Sequence, residues 1–264
     1  MKKFELTTEF ITNMFGKKLF RIKALVEFGN VKAGELGGYV EKEENVSQDG
    51  NAWVSGNAEV SGNARVYGNA RVYGNAWVSG NAEVYGDAWV SGNAWVSGNA
   101  EVSGNARVSG NARVYGNAWV SGNAEVYGDA WVSGNAWVYG DAWVSGNAWV
   151  YGNAWVSGNA EVYGDARVYG NAWVSGNAEV YGNARVSSDA DYALVQGFGT
   201  EFRCTTFYRG KNKKIMVNCG CFHGDLEGFR KQVKETRNGK IAKEYLMIAD
   251  LMEYHFTSED SSNE

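Results

Sequence analysis

Residues 75–96 read NAWVSGNAEVYGDAWVSGNAWV, a run in which Ala, Val and Gly return every six positions while the third and fifth places vary. Extended in both directions, the pattern covers residues 51–188 as 23 consecutive hexapeptides of the form Asn/Asp-Ala-x-Val-Ser/Tyr-Gly, without an insertion. Only the last departs, ending Ser187-Ser188. Self-similarity at a short fixed period is the mark of a chain that stacks one unit on the next. In an extended segment residues two apart share a face, so Ala and Val point one way while x and Ser/Tyr point the other. Ala and Val therefore make the core. Gly followed by Asn predicts a corner, because Gly accepts any backbone conformation and Asn best tolerates the left-handed region among the other residues. A corner at every hexapeptide gives a solenoid whose strands stack at roughly 4.8 Å around a narrow dry core. Asn residues falling in register are expected to form amide ladders along the corners.

The unit V-S/Y-G-N-A-x resembles the hexapeptide of left-handed β-helices, in which an aliphatic residue is followed four positions later by a small one. The resemblance implies a single-stranded, triangular left-handed β-helix with three hexapeptides per coil. Twenty-three hexapeptides then give nearly eight coils and a prism about 37 Å long. Charge pairing leaves the coil length open. A flat 12-residue coil pairs Glu59 with Arg71 but sets Asp129 against Asp141, whereas the 18-residue coil separates the Asp residues but stacks Glu83 on Glu101. Exposed pairs are worth only about 0.2–1 kcal/mol, so the 18-residue coil rests on the resemblance.

The x position holds Trp eleven times, Glu six and Arg six, which accounts for every Trp in the chain, and the Ser/Tyr position carries ten of the fifteen Tyr. Alternation turns these side chains outward. With three hexapeptides per coil, Trp119, Trp137, Trp155 and Trp173 fall in one column. A second column runs Trp77, Trp95, Arg113, Trp131, Trp149, Arg167, with guanidinium groups between indoles. Large exposed apolar patches mark contact surfaces, and interfaces favour Trp, Tyr and Arg. The same residues are also good strand formers, and a ladder that serves stability alone is the competing reading. The block NAWVSGNAEVYGDA recurs at residues 75, 117 and 153. The first spacing is not a whole number of three-hexapeptide coils, which argues against one column as a selected site.

Single-stranded nucleic acid needs aromatics beside a basic groove, but here six Glu match the six Arg and the net charge is −5, so no nucleic-acid partner is expected. Many hexapeptide β-helix proteins are acyltransferases, with a His as general base and loops that shape the acyl-carrier pocket. Residues 51–188 contain no His, Cys or Lys and no interrupting loop. Glu59, Glu83, Glu101, Glu125, Glu161 and Glu179, read as exposed carboxylates beside Arg, should be ionised and poor bases.

Residues 1–45 differ in composition, with strand-like Phe4–Leu6 and Leu19–Val26, and read as a cap over the open end of the coil. The stretch KKLFRIKALVEFGNVKAGELGGYVEKEENVSQDGNAWV, residues 17–54, resembles the lead-in of YdcK-like hexapeptide proteins, named transferases by fold. Beyond residue 190, Thr200–Tyr208 and Lys214–Asn218 read as a hairpin about the turn RGKNKK. Asp225 is placed to cap a helix bearing Leu226, Phe229 and Val233, and Ile241–Phe256 reads as a second helix. The run VNCGCFHGDLEGFRKQVKET, residues 217–236, resembles a C-terminal module of phage and prophage proteins, which implies a phage origin. Cys219, Cys221 and His223 form C-x-C-x-H with Cys204 nearby, a spacing read either as zinc ligands or as small buried residues with a turn His; the second is adopted.

The expected molecule is mainly β: a cap over residues 1–45, a β-helix over 46–190 and a small α+β module over 191–264. It is expected to be cytoplasmic, in the host cytoplasm if phage-encoded, because three Cys crowded near the C-terminus suit a reducing compartment and no run of about 18 apolar residues is present. Its expected role is binding without catalysis, with no cofactor and no metal, through Trp119, Trp137, Trp155, Trp173, Trp131, Trp149, Arg113 and Arg167. The partner is a protein, in a phage setting a host defence protein. Self-assembly into a homo-oligomer and acyl transfer are the alternatives.

Overall fold

The computed structural model describes residues 1–202, 204–211 and 213–257. Each hexapeptide contributes one two-residue strand formed by x and Val, from β4 (Trp53–Val54) to β26 (Arg185–Val186). Strand n pairs in parallel with strand n+3, so three sheets wrap a triangular β-solenoid with an 18-residue coil, and x stacks on x: Trp95 on Trp77, Trp137 on Trp119. Every Ala and Val of the repeats is fully buried.

The corners are divided between Gly and Asn in a way that sequence tolerance does not foretell. Gly takes the left-handed conformation wherever it closes a repeat, with φ between 64° and 75°, while no Asn of the repeats has positive φ. At Gly98 the reason is twofold. Its φ is +72°, and a Cβ would lie 2.9 Å from the backbone nitrogen and oxygen of Gly116 one coil on. Asn is freed for the ladders, in which Nδ2 donates to Oδ1 one coil on. Asn63, Asn81, Asn99, Asn117, Asn135, Asn153 and Asn171 form an unbroken series at 2.9–3.2 Å. Where the position is Asp, as at Asp87 and Asp129, it accepts from the coil before and has nothing to donate.

The backbone ladder is polar. Each N–H that bonds between coils donates toward the C-terminal neighbour, as Trp95 N does to Ala112 O at 2.9 Å, so the first coil is left with free carbonyls and the last with free N–H groups. The two ends meet these needs with opposite chemistry. At the start, β1 (Phe4–Thr12), β2 (Lys18–Ala24) and β3 (Leu36–Val40) form an antiparallel meander, and β3 joins β5 (Glu59–Val60) in parallel. On the second face Lys3, only 4% exposed, donates Nζ to the carbonyls of Ala52 at 2.9 Å and Gly50 at 3.3 Å. On the third, Nδ2 of the buried Asn45 donates to Gly62 O and Ala64 O. Burial pushes the Lys3 amine down to about 8 against the opposing pull of Asp49. At the far end the orphan donors find oxygen: Trp173 N donates to Asp189 Oδ1, Glu179 N to Thr206 Oγ1, and both Ser187 N and Ser188 N to Asp191 Oδ2.

The C-terminal region is a four-stranded antiparallel sheet, β27 (Tyr192–Val195), β28 (Thr205–Arg209), β29 (Ile215–Cys219) and β30 (Phe222–Asp225), covered by α1 (Leu226–Thr236) and α2 (Gly239–Thr257). Both helices and the Asp225 cap, whose carboxylate accepts from Gly228 N at 2.9 Å, agree with the sequence reading. The expected hairpin is half the sheet. β28 starts at Thr205, not Thr200, and β27 and β30 are too short to carry a clear alternation; Arg203 and Asn212, which the hairpin reading includes, lie outside the described residues. Phe207, Val217, Phe229, Tyr245 and Met252 form a core separate from the Ala/Val core of the solenoid.

Candidate binding faces

The first column places Trp119, Trp137, Trp155 and Trp173 on successive strands of the seven-stranded sheet. They are 36, 37, 38 and 46% exposed, the largest exposed aromatic series on the solenoid. Trp119 and Trp137 stack at 4.8 Å and Trp137 and Trp155 at 5.2 Å with interplanar angles of 28° and 9°, while Trp173 meets Trp155 edge-on. Trp173 is further fixed by its Nε1, which donates to Ser157 Oγ at 3.0 Å. A base or sugar sandwiched between two rings needs two contacts of about 3.5 Å, more than these spacings allow. Column position alone leaves base or sugar stacking open, and the ring spacing leaves no room for a guest between the stacked neighbours. With faces mutually covered, Trp119, Trp137 and Trp155 present edges, the positive rim of the quadrupole, whereas Trp173 stands across the end of the stack.

N-terminal to the indoles, the same face continues as Arg65, Glu83 and Glu101. Each Glu is held from the preceding coil, Tyr67 OH donating to Glu83 Oε2 at 2.7 Å and Tyr85 OH to Glu101 Oε2 at 3.0 Å. Burial, with the Glu83 carboxylate beside it, raises the Tyr67 hydroxyl above the ordinary phenol range. These tyrosines answer the like-charge stack that makes the 18-residue coil look unfavourable on charge pairing alone. Sequence arithmetic contains them: with three hexapeptides per coil, a Tyr at the fifth position of one repeat lies just short of the x position one coil on, which it overhangs. Tyr115 does this to Trp131 and Tyr127 to Trp143.

The second column is also assembled as expected, with a different exposure. Arg113 lies 5.4 Å from the Trp95 ring and 5.1 Å from Trp131, Trp131 stacks on Trp149 at 4.8 Å, and Arg167 sits 4.7 Å from Trp149. Trp131, Trp149 and Arg167 are half-buried by this stacking and Arg113 is exposed. Each Arg thus covers indole faces that would otherwise meet water, a use of Arg that is complete within the chain. On the eight-stranded face Trp53 is buried, packed by Phe4 at 6.2 Å and Phe28 at 5.4 Å, so the cap withdraws one of the eleven Trp from the surface. Alternation turns all eleven outward, because it cannot see a segment folding back.

The Glu residues divide by surroundings. Glu125 pairs with Arg107 at 3.6 Å, as expected. Burial holds Glu59 above the usual carboxylate range, and burial with the neighbouring Glu179 does the same for Glu161. For these two the expectation of ordinary ionised carboxylates beside Arg fails, because Glu59 lies between Tyr39 of the cap and Trp77, and Glu161 lies beside Glu179. Glu179 accepts from Asn218 Nδ2 and so ties the last coil to the C-terminal sheet.

The C-x-C-x-H residues diverge. Cys219 Sγ accepts from Thr205 Oγ1 at 3.1 Å, Cys221 is exposed in the turn, and His223 packs on Tyr181 with centroids 3.7 Å apart. Burial lowers the His223 imidazole and raises the Cys204 thiol. Among the described residues no group of three or more His, Cys, Asp and Glu is placed to hold a metal ion, and no helix is long and apolar enough to cross a membrane.

The YdcK beta solenoid repeat family matches the chain at residues 64–80, 100–116, 106–122, 142–158 and 160–176, all within the coil. The repeats are thus similar in sequence as well as in fold to YdcK-like β-solenoids. No curated protein matches the chain.

Proposed function

We propose that this β-solenoid is a rigid, non-catalytic scaffold whose Trp119–Trp173 column binds a macromolecular partner. The observation that carries the reading is four adjacent indoles, each more than a third exposed, on a rod whose other Trp-rich column is occupied by its own Arg residues. Fixed aromatic rings lose little conformational freedom on binding, which is why such residues anchor interfaces. A non-catalytic role is supported by repeats that carry no His, Cys or Lys and by Glu side chains engaged in columns instead of converging on a pocket. The resemblance to a phage and prophage module, read in the sequence of residues 217–236, is the ground for naming a host protein as partner.

The test is capture from host lysate with the wild type and with a variant carrying Trp119→Ser, Trp137→Ser and Trp155→Ser. Trp173 is kept because its ring is bonded to Ser157. With circular dichroism showing both proteins folded, a protein retained by the wild type and lost by the variant is the expected result. Identical retention by both would remove the indole column as the binding face.

A further inference from the structure

The indole face is divided lengthwise into two unlike halves. Going along the rod, its outward residues are Arg65, Glu83, Glu101, Trp119, Trp137, Trp155 and Trp173. The first half carries a guanidinium and two carboxylates. The second carries Trp119, Trp137 and Trp155, whose stacking leaves their electropositive edges outward, and Trp173, turned 67° to Trp155 so that its ring face is not covered by stacking. A surface with unlike halves becomes self-complementary when a copy is turned end for end, which is the requirement of a two-fold interface.

We infer that the indole face pairs with the same face of a second copy of this chain, antiparallel and centred on Trp119. The inference rests on the reading of this face as a binding surface and names its occupant. In that register Trp119 meets its own symmetry mate, Glu101 faces Trp137, Glu83 faces Trp155 and Arg65 faces Trp173. Each carboxylate is aimed at an indole edge, with Oε2 already held by a tyrosine hydroxyl and Oε1 left to accept from outside. The Nε1 groups of Trp137 and Trp155 have no acceptor among the described residues. Arg65, exposed and lying 5.5 Å from the Tyr67 ring, is paired with no carboxylate among the described residues and meets Trp173, the most exposed indole of the series. Seven strands at about 4.8 Å by roughly 16 Å of width give about 550 Å² per protomer, or about 1,100 Å² in all, at the lower edge of specific interfaces. The dimer should therefore be reversible, dissociating on the order of micromolar.

Sedimentation of the purified full chain tests this. The expected result is a species of twice the 28.8 kDa chain mass that dissociates on dilution. Trp137→Glu with Trp155→Glu sets Glu against Glu101 and Glu83 in both symmetric halves and should weaken the dimer by about 100-fold or more. Mixing that variant with Glu83→Arg/Glu101→Arg places Arg opposite Glu in one half, keeps the native contacts in the other, and should restore a heterodimer. A wild type that stays monomeric at high concentration overturns the dimer and leaves the lysate capture as the separate test of the face. A dimer indifferent to Trp137→Glu/Trp155→Glu, or a mixture that stays monomeric, overturns it equally.

Discussion

Replacing Gly98 by Ala should destabilise the solenoid in two separable ways, and Gly16 provides the means to separate them. Both residues have left-handed backbone, φ +72° and +74°, but a Cβ on Gly16 meets nothing within 4 Å, whereas on Gly98 it lies 2.9 Å from Gly116 N and O. The conformational part is shared: an L-residue in this region costs about 1–2 kcal/mol, partly offset by about 0.4–1 kcal/mol from a stiffer unfolded chain. Gly16→Ala should thus cost about 1 kcal/mol. At Gly98 the methyl group must also displace backbone, and that backbone is tied, because Asn99 N donates to Gly116 O at 2.7 Å. Opening the coils there loses at least one hydrogen bond, about 1 kcal/mol, and adds an overpacking cost of about 1–3 kcal/mol. The expected total for Gly98→Ala is about 3–5 kcal/mol. Urea unfolding followed by circular dichroism, with unchanged slope as the check on cooperativity, measures both. Amide exchange around Asn99 and Gly116 should show local opening in Gly98→Ala only. Equal costs for the two substitutions would refute the claim that coil-to-coil contact, and not φ alone, requires Gly in the repeat.

The corner ladders make a prediction of opposite signs: Asp87→Asn supplies the donor missing toward Asn105 and should stabilise by about 0.5–1 kcal/mol, while Asn117→Asp removes the donor to Asn135 and should cost a similar amount, both read from urea midpoints. Asp191→Ala should cost about 3 kcal/mol and expose the chain after Ser188 to limited proteolysis, because that carboxylate accepts from Ser187 N, Ser187 Oγ and Ser188 N and pairs with Arg209 Nε at 3.1 Å. Glu161→Gln should raise the melting temperature near pH 7 and have little effect near pH 4. Burial and Glu179 hold the native Glu161 pKa above its unfolded value, so the folded state binds the proton more tightly and stability declines as pH rises through that interval.

What the sequence made legible was whatever repeats. A hexapeptide period with Ala and Val two apart is enough to identify the core, and three-hexapeptide stacking then follows column by column, down to the Arg113 and Arg167 contacts with indoles. What stayed hidden is what happens once. Trp53 has the same hexapeptide as Trp95, and only the folding of Phe4 and Phe28 over it makes it core. Lys3 sits in a Met-Lys-Lys start that gives no hint of a buried cation, because its partners are backbone carbonyls near residue 50. Asn exemplifies a different failure: its tolerance for left-handed backbone is real, but here the side chain has a better use in the ladder, and Gly alone takes the strain. Among the candidate residues, the columns were legible, whereas their exposure depended on ring angles that no spacing rule supplies.

The polarity of the backbone ladder also bears on how such a rod can associate. Uncapped, a solenoid would extend by stacking, since the N–H groups of one end match the carbonyls of the other. Here the carbonyl end is taken by Lys3, Asn45 and β3, and the N–H end by Asp189, Asp191 and Thr206, so end-to-end growth would have to displace ionic and hydrogen-bonded caps at both surfaces at once. Association through the sides carries no such cost. Of the three sides, one has its first Trp covered by the N-terminal cap, and one has its indoles interleaved with its own Arg residues. The third presents a series of four adjacent indoles beside carboxylates whose Oε2 is held by a tyrosine hydroxyl and whose Oε1 has no partner among the described residues. The caps that occupy both ends of the ladder therefore leave the lateral faces as the part of the solenoid open to a second copy without the loss of backbone partners.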